Sequence, residues 1–357
     1  MFPRLHSRIR AQGPIPFAAF MEEALYGEGG YYNREDVPIG EPGDYVTGAS
    51  LSPLFGRVTA RLLRRLDEAL GQPAEMFEAG FGTGVHLANV VSSLVDRGRK
   101  VRAWDRIARK VPAGVEQIGS LEAIGEGEVE GLIFSYELFD ALPVHRFLGK
   151  GDGAVGELWV DVDQEGAFAW REGELSDPAL LGLLHGVSLQ PGQVADVSPG
   201  WGPLYGDLAR RLGRGLLVTC DYGFERERLF DPRVRLHGTL ACYTRQRVHR
   251  NPFVKVGEQD LTAHVDFTTL IREGEAAGLT TVVLTRQALW LTACGLFEEL
   301  QGADVATRHG AMALLDGEGM GEEIRVLVQA KGIDPAAVLD LKMLGARPAK
   351  EIENLSG

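Results

Sequence analysis

The stretch from Glu75 to Asp105 constrains this chain more than any other. It opens on Glu75-Met76-Phe77-Glu78, part of a short run that reads as a buried strand. Glu78-Ala79-Gly80-Phe81-Gly82-Thr83-Gly84 comes next, then a helix with Leu87, Val90, Val91, Leu94 and Val95 at apolar spacing. A second strand, Val101 to Trp104, ends on Asp105. Strand, glycine turn, helix, strand and terminal acid form one half of a doubly wound α/β sheet that binds nucleotides. Glycines let the backbone turn sharply and approach a ligand that a Cβ would block. The helix beginning at the turn points its unpaired N–H groups toward that ligand. An acid about twenty residues past the last glycine can accept hydrogen bonds from both hydroxyls of a ribose.

The spacing also selects the ligand. A dinucleotide fingerprint begun at Gly80 requires its third glycine at position 85, which is Val85. The acid-x-Gly-x-Gly-x-Gly form instead resembles motif I of class I methyltransferases, which bind S-adenosylmethionine (SAM). That resemblance implies Glu78 near the methionine part of SAM and Asp105 on the ribose. Gly80, Phe81, Gly82 and Gly84 would line the cofactor.

Composition narrows the class further. A net charge of −13, from 50 acids against 37 bases, argues against a nucleic-acid footprint. Cys220, Cys242 and Cys294 are odd in number and widely spaced, which fits a reducing compartment and neither a disulfide framework nor a zinc site. No His, Cys or acid cluster has metal-ligand spacing, so no metal is expected. No apolar run reaches the roughly 18 residues of a membrane span. Arg4, Arg8 and Arg10, without an acid among the first residues, faintly resemble a transit peptide, but the stretch is very short for one. The expectation is a soluble protein of a bacterial cytoplasm, or of the mitochondrial matrix in a eukaryote.

Along the rest of the chain, Ile15 to Tyr26 has helical spacing, with Phe17, Phe20, Met21 and Leu25 on one face. Ser52-Pro53 opens a helix running to Leu70, whose Arg57, Arg61, Arg64 and Arg65 read as a solvated face. Glu130 to Phe134 is a further strand and runs into Glu137-Leu138-Phe139-Asp140. Ligands of doubly wound sheets sit beyond the C-terminal strand ends, which puts Glu137 and Asp140 where chemistry is done. The same two acids would equally suit the start of a helix. Gly153 to Arg171 alternates around Asp163-Gln164-Glu165-Gly166 and reads as a β-hairpin, with a helix near Ala179 to His185. A helix from Gly202 to Leu212 feeds a strand, Gly215 to Cys220, that ends on Asp221-Tyr222-Gly223. A helix from Phe267 to Ala277 and strands at Thr281 to Thr285 and Ile324 to Val328 would complete the sheet. The expected division is an N-terminal helical extension (1–70), the first part of a SAM-binding Rossmann-like core (71–150), an inserted hairpin and helix for substrate (151–200), a core strand region (201–222), a cap insertion (223–266) and the rest of the core (267–357).

Several of these stretches together resemble the MidA-like methyltransferases, the family of the mitochondrial complex I assembly factor protein arginine methyltransferase. The matching pieces are Leu25-Tyr26 with Gly30-Tyr31-Tyr32, Gly43-Asp44-Tyr45-Val46-Thr47, Phe55-Gly56, Glu78 to Gly84, Glu137 to Pro143, Asp221-Tyr222-Gly223, Gly238-Thr239-Leu240, and Gly257 to Phe267. Their order holds from about residue 15 to residue 330. The resemblance implies a class I methyltransferase fold with an N-terminal helical extension and an inserted α+β cap, and methylation of a protein arginine, with a respiratory-complex subunit among the acceptors. It also implies that Asp44 and Thr47 belong to the pocket wall. The chain departs from the family pattern at Tyr136, Ala241 and Gln246, and at Phe81 in the turn.

Methyl transfer from a sulfonium is an in-line displacement and needs alignment above all. An arginine acceptor is a cation that carboxylates can grip, orient and deprotonate. Glu137 and Asp140 are assigned that part, with Asp221 as a third candidate. A small-molecule acceptor and a non-catalytic SAM-binding assembly chaperone remain the alternatives. His86, in the first turn after the glycines, could touch ligand, while His145 and His264 read as structural hydrogen-bonders.

Overall fold

The computed structural model describes residues 2–34, 48–94, 98–244, 247–316 and 319–345. The chain divides into two compact units, one of Val46–Leu138, Leu204–Tyr222 and Leu270–Gly357, the other of Met1–Tyr45, Phe139–Pro203 and Gly223–Thr269.

The first unit is built on a twisted, mostly parallel sheet. Helix α1 (Pro53–Leu70) starts where Ser52 Oγ accepts from the Leu54 amide and Pro53 takes the first helical position. It buries Leu54, Phe55, Val58, Leu62, Leu63 and Leu66. Strand β1 (Glu75–Ala79), helix α2 (Val85–Ser93) and strand β2 (Val101–Trp104) follow as the spacing predicts. Then come β3 (Val129–Tyr136), helix α3 (Trp201–Arg211), β4 (Leu212–Phe224), helix α4 (Phe267–Ala276), β5 (Thr280–Arg286) and β6 (Ile324–Lys331). The sheet order is β5-β6-β4-β3-β1-β2, with Glu116–Gln117 beyond β2. β4, β3, β1 and β2 run parallel, whereas β6 lies antiparallel between β4 and β5. Met76, Phe134, Val218 and Val326 are fully buried in its core. Their near-continuous apolar runs are what a parallel strand covered on both faces demands.

Two features of this unit differ from the sequence reading. The arginines of α1 are not simply solvated. Arg61 pairs with Glu299 at 3.2 Å, and Arg65 donates to the carbonyls of Ala293 and Val338, each at 3.3 Å. The segment between β5 and β6, for which the spacing gave no element, folds into short helices at Gln287–Ala293, Leu296–Glu299, Val305–Leu315 and Met320–Glu323. Trp290 from the first of them is buried against Phe55 and Phe134, with ring centroids 5.8 and 6.4 Å away.

The second unit is antiparallel. Ala154–Val162 pairs with Phe168–Gly173 as the expected hairpin, and also with His145–Gly151 and Ile15–Pro16. Ile15 and Pro16 thus leave the expected helix, which begins at Phe17. Pro16 is held extended (φ −56°, ψ 147°), and Ile15 pairs with Val160. Val194–Val197 closes the other edge. A separate three-stranded sheet joins Ala241–Thr244, Arg247–His249 and Asp260–Thr262. Phe17, Phe20, Met21, Ala24 and Leu25 form the buried face of helix Phe17–Tyr26. The expected helix near Ala179 is a 3-10 turn, Pro178–Leu184, capped by Asp177. Arg146 and Asp196 pair in the interior at 2.7 Å, and Asp196 also accepts from the backbone amides of Thr239 and Leu240.

Candidate functional site

The glycine turn sits at the carboxyl end of β1, and all three glycines need the left-handed backbone that a side chain resists. Gly80, Gly82 and Gly84 have φ of 74°, 54° and 74°. At Gly80 an added Cβ would come within 2.7 Å of Leu138 Cδ1, and at Gly84 within 3.0 Å of Pro112 Cδ. At Gly82 it would meet nothing within 4 Å. The backbone there faces open space that a ligand can enter closely. Asp105, just past β2, braces this turn. Its Oδ2 accepts from the Gly82 amide and its Oδ1 from the Ile107 amide, both at 2.9 Å. Burial pushes its pKa up, against the pull of those two amides. Each oxygen retains a lone pair for a further donor such as a sugar hydroxyl. Phe81 is buried in the core of the unit and does not project as a free turn residue.

Glu78 has a partner that the spacing did not foresee. Its Oε2 lies 2.8 Å from His86 Nδ1, and His86 Nε2 lies 3.1 Å from Thr59 Oγ1. Glu78 and His86 are both buried. Both ring nitrogens are engaged by protein, so the idea that His86 touches ligand gives way to a structural role. Thr59 carried no sequence signal, because it reaches His86 only through the packing of α1 on α2.

A second set of groups lies at the carboxyl ends of β3 and β4. Residues 137–144 form neither helix nor strand, which removes the helix-start reading of Glu137. Instead Glu137 adopts φ 49°, unusual for a residue with a side chain. Its amide donates to the Cys220 carbonyl at 2.9 Å, and the next amide, Leu138, donates to Asp221 Oδ2 at 3.2 Å. Asp221 is fully buried, and its Oδ1 accepts from its neighbour Tyr222 at 2.9 Å. The two strand ends therefore hold one left-handed turn between them. Beside it, Tyr136 donates to Gln287 Oε1 at 2.7 Å and packs edge-on against Phe55. Burial, and then the neighbouring Glu137, pushes its pKa far up, so the hydroxyl stays protonated as a donor.

Glu137 and Asp140 fall in different units, since the division lies between Leu138 and Phe139. In its own unit Asp140 is 4% exposed, and its carbonyl accepts from the Ala263 amide at 2.9 Å. Asp44, Thr47 and Gln246 lie outside the described residues. His145 is held by Glu157 at 2.6 Å. Half-buried His264 has its pKa lowered to about 4, by desolvation first and by Arg235 next. The three cysteines are free and buried. Among the described residues no group of His, Cys, Asp and Glu has the arrangement to hold a metal ion, and no helix is long and apolar enough to cross a membrane.

A parallel sheet with one antiparallel strand inserted next to its last edge, a left-handed glycine turn after the first strand and an acid after the second define the Rossmann-like fold of SAM-dependent methyltransferases. Residues 99–285, just over half of the chain, match the family described as "Putative S-adenosyl-L-methionine-dependent methyltransferase", and the chain belongs to that family. It is a SAM-dependent methyltransferase, and its cofactor is SAM. The protein arginine methyltransferase NDUFAF7, mitochondrial, of Mus musculus is 27% identical over 325 residues, 78% of this chain and 71% of the mouse protein. The Drosophila melanogaster homolog of that enzyme is 26% identical over 319 residues, 77% of this chain and 70% of its own. A solved Burkholderia thailandensis protein bound to S-adenosyl-homocysteine superposes with a TM-score of 0.86 at 28% identity, covering 98% of this chain and 96% of that one.

Proposed function

We propose that this enzyme methylates an arginine side chain of a protein, with Glu137 as the group that orients and deprotonates the acceptor. The observation that carries the reading is the backbone of Glu137. A left-handed φ on a residue with a side chain costs roughly 1–3 kcal/mol and persists where surrounding contacts over-determine it, as they do at functional sites. Here the Cys220 carbonyl and the Asp221 carboxylate supply those contacts. Asp221 is thereby a positioning residue, its carboxylate turned to backbone amides. Gly80, Gly82 and Gly84 let the cofactor approach the chain, and Asp105 accepts from its ribose. Glu78 acts near the methionine part, steadied by His86. Asp140 keeps its assignment to the acceptor side from its place beyond the strand end, and Asp44 and Thr47 keep theirs to the pocket wall on the family resemblance alone.

When bound, SAM would supply an electrophilic methyl carbon on its sulfonium, and S-adenosyl-homocysteine would leave as the C–S bond breaks and the acceptor nitrogen forms the N–C bond in line. A guanidinium has pKa above about 12 and carries no free lone pair on its protonated nitrogens. A carboxylate can hold two of its N–H groups in parallel, fix which nitrogen faces the methyl group, and take the proton released as the N–C bond forms. An acceptor subunit of a respiratory complex, in a cytoplasm or matrix that keeps Cys220, Cys242 and Cys294 reduced, fits the same reading.

The test uses labelled SAM and a cell extract, followed by hydrolysis of the labelled fraction. Label in protein as methylarginine is expected, and Glu137→Gln should lower transfer by about 10²–10⁴-fold while SAM affinity stays unchanged. Label confined to small molecules would replace the protein acceptor with a metabolite. Wild-type transfer by Glu137→Gln removes that residue from the scheme.

A further inference from the structure

Phe55-Gly56 is a sequence motif to which neither the glycine turn nor the acceptor acids give a part. Gly56 is where α1 crosses α2. An added Cβ there would lie 2.5 Å from Asn89 Cβ and 2.9 Å from the Val90 nitrogen, so the two helices touch almost backbone to backbone. That close crossing brings Thr59 Oγ1 to 3.1 Å from His86 Nε2. Thr59, His86 and Glu78 are all buried. The rings of Phe55 and Phe134 wall the imidazole, with centroids 5.4 and 4.8 Å away. Its polar neighbours among the described residues are Thr59 on one nitrogen and Glu78 on the other.

Thr59 Oγ1 also lies 3.1 Å from the Phe55 carbonyl. A hydroxyl has one hydrogen, which goes either to Phe55 or to His86. The Phe55 carbonyl loses little by being passed over, because in an α-helix it already accepts from the amide four residues on, that of Thr59 itself. His86 Nε2 has no second source, and a buried ring nitrogen left without a hydrogen bond costs about 1–3 kcal/mol. With the hydroxyl turned to His86, Nε2 accepts, the ring hydrogen sits on Nδ1, and Nδ1 donates to Glu78 Oε2. With the hydroxyl turned to Phe55, Nε2 must carry a hydrogen. The 2.8 Å contact at Nδ1 then needs a second proton, either on the ring, whose charge would cancel that of Glu78, or on Glu78 itself. The first arrangement alone leaves Glu78 with an uncancelled charge for a cation from outside.

We propose that Thr59 is a positioning residue for the cofactor: its hydroxyl holds His86 as the Nδ1–H tautomer, and His86 holds Glu78 as an oriented carboxylate whose Oε1 takes the α-ammonium group of SAM. The inference rests on the placement of Glu78 near the methionine part of SAM and adds the residue that sets the charge and direction of that acid. Glu78 lies on β1, two residues before Gly80, so the strand that delivers the glycine turn also delivers this carboxylate. A carboxylate so deeply buried is costly alone. An ammonium group offsets that cost with a charge-assisted hydrogen bond for which water competes poorly.

The test compares SAM with methylthioadenosine, which keeps the adenosine and lacks the methionine chain. Both are titrated by calorimetry into wild type, Thr59→Val, Thr59→Ser and Glu78→Gln. Thr59→Val keeps the shape and removes the hydroxyl, and should weaken SAM by at least about tenfold while leaving methylthioadenosine unchanged, which certifies folding. Thr59→Ser restores the hydroxyl and should restore SAM affinity. In the Glu78→Gln background Thr59→Val should have no further effect on SAM. Nitrogen NMR of labelled histidine should show His86 in the SAM complex with its hydrogen on Nδ1 and an unprotonated Nε2. A hydrogen on Nε2 in that complex overturns the proposal, and so does equal SAM affinity of Thr59→Val and wild type. A parallel loss of methylthioadenosine overturns it too, since Thr59 would then serve only the helix crossing. Wild-type SAM affinity in Glu78→Gln overturns it by another route, by removing the placement of Glu78 on which it rests. Weakened SAM in Glu78→Gln beside intact Thr59→Val removes Thr59 and spares that placement.

Discussion

Set side by side, the doubly wound unit and the antiparallel unit differ in how far along the chain their partners lie. In the first, β1 and β2 are parallel neighbours with Met76 opposite Val101, and the glycine turn and Asp105 fall within the same thirty-odd residues. In the second, Ile15 pairs with Val160, and Arg146 meets Asp196, whose other oxygen serves amides at Thr239 and Leu240. The first unit holds its ligand-facing groups by backbone geometry, through left-handed glycines and a left-handed glutamate. In the second, the buried pair of Arg146 and Asp196 ties segments far apart in the chain. A mutation in either should therefore fail in its own way.

The largest effect is expected in the antiparallel unit. Asp196→Ala leaves Arg146 buried and unpaired and strips two loop amides of their acceptor, which should cost about 3–5 kcal/mol and show as a large fall in the denaturant midpoint. Gly80→Ala should cost about 2–4 kcal/mol, from the left-handed backbone and the approach to Leu138, and should abolish SAM binding in calorimetry. If Gly80→Ala were harmless, the turn would not be the rigid element of the comparison. Asp105→Asn should weaken SAM by about 10–100-fold, the loss of a charge-assisted bond. Burial raises the Asp105 pKa, so it protonates at a higher pH than an ordinary aspartate near 4. SAM affinity of the wild type should accordingly begin to fall on the acid side above that value, whereas Asp105→Asn should lose this dependence. Tyr136→Phe is the smallest change. Losing the bond to Gln287 should cost about 1 kcal/mol in melting and leave transfer unaltered, since the hydroxyl is engaged within the core. A large loss of transfer in Tyr136→Phe would move that residue from the packing into the chemistry.

The contrast also explains what could be read in the sequence. The stretch from β1 to Asp105 was legible because every signal in it is local: a strand period, alternate glycines, a helix period and an acid. β3 to β6 were legible as apolar runs, though their order across the sheet was not. The Thr59–His86–Glu78 relay and the bracing of Gly80 by Leu138 arise from tertiary packing and leave no pattern along the chain. The helices between β5 and β6 are short, four to eleven residues, and offer too few turns for a periodic signal. Pro16 could have been weighed more heavily, since a proline breaks a helix interior and holds the residue before it, Ile15, in extended backbone. The departures from the family pattern have different meanings. Tyr136 is explained by its hydroxyl on Gln287, and Ala241 simply sits opposite Thr262 in the small sheet.

The last strand of the doubly wound sheet, β6, inserts between β4 and β5 and is the final piece of sheet to leave the ribosome. All segments of the antiparallel unit have been synthesised once Thr269 emerges, whereas β4 and β5 keep bare edges until Ile324–Lys331 arrives. Nascent chains stalled before that strand would carry two unpaired apolar edges, and these are the intermediates that aggregate or call for a chaperone. The cofactor-holding unit is thus begun early and completed last, and its open sheet has to be protected longest.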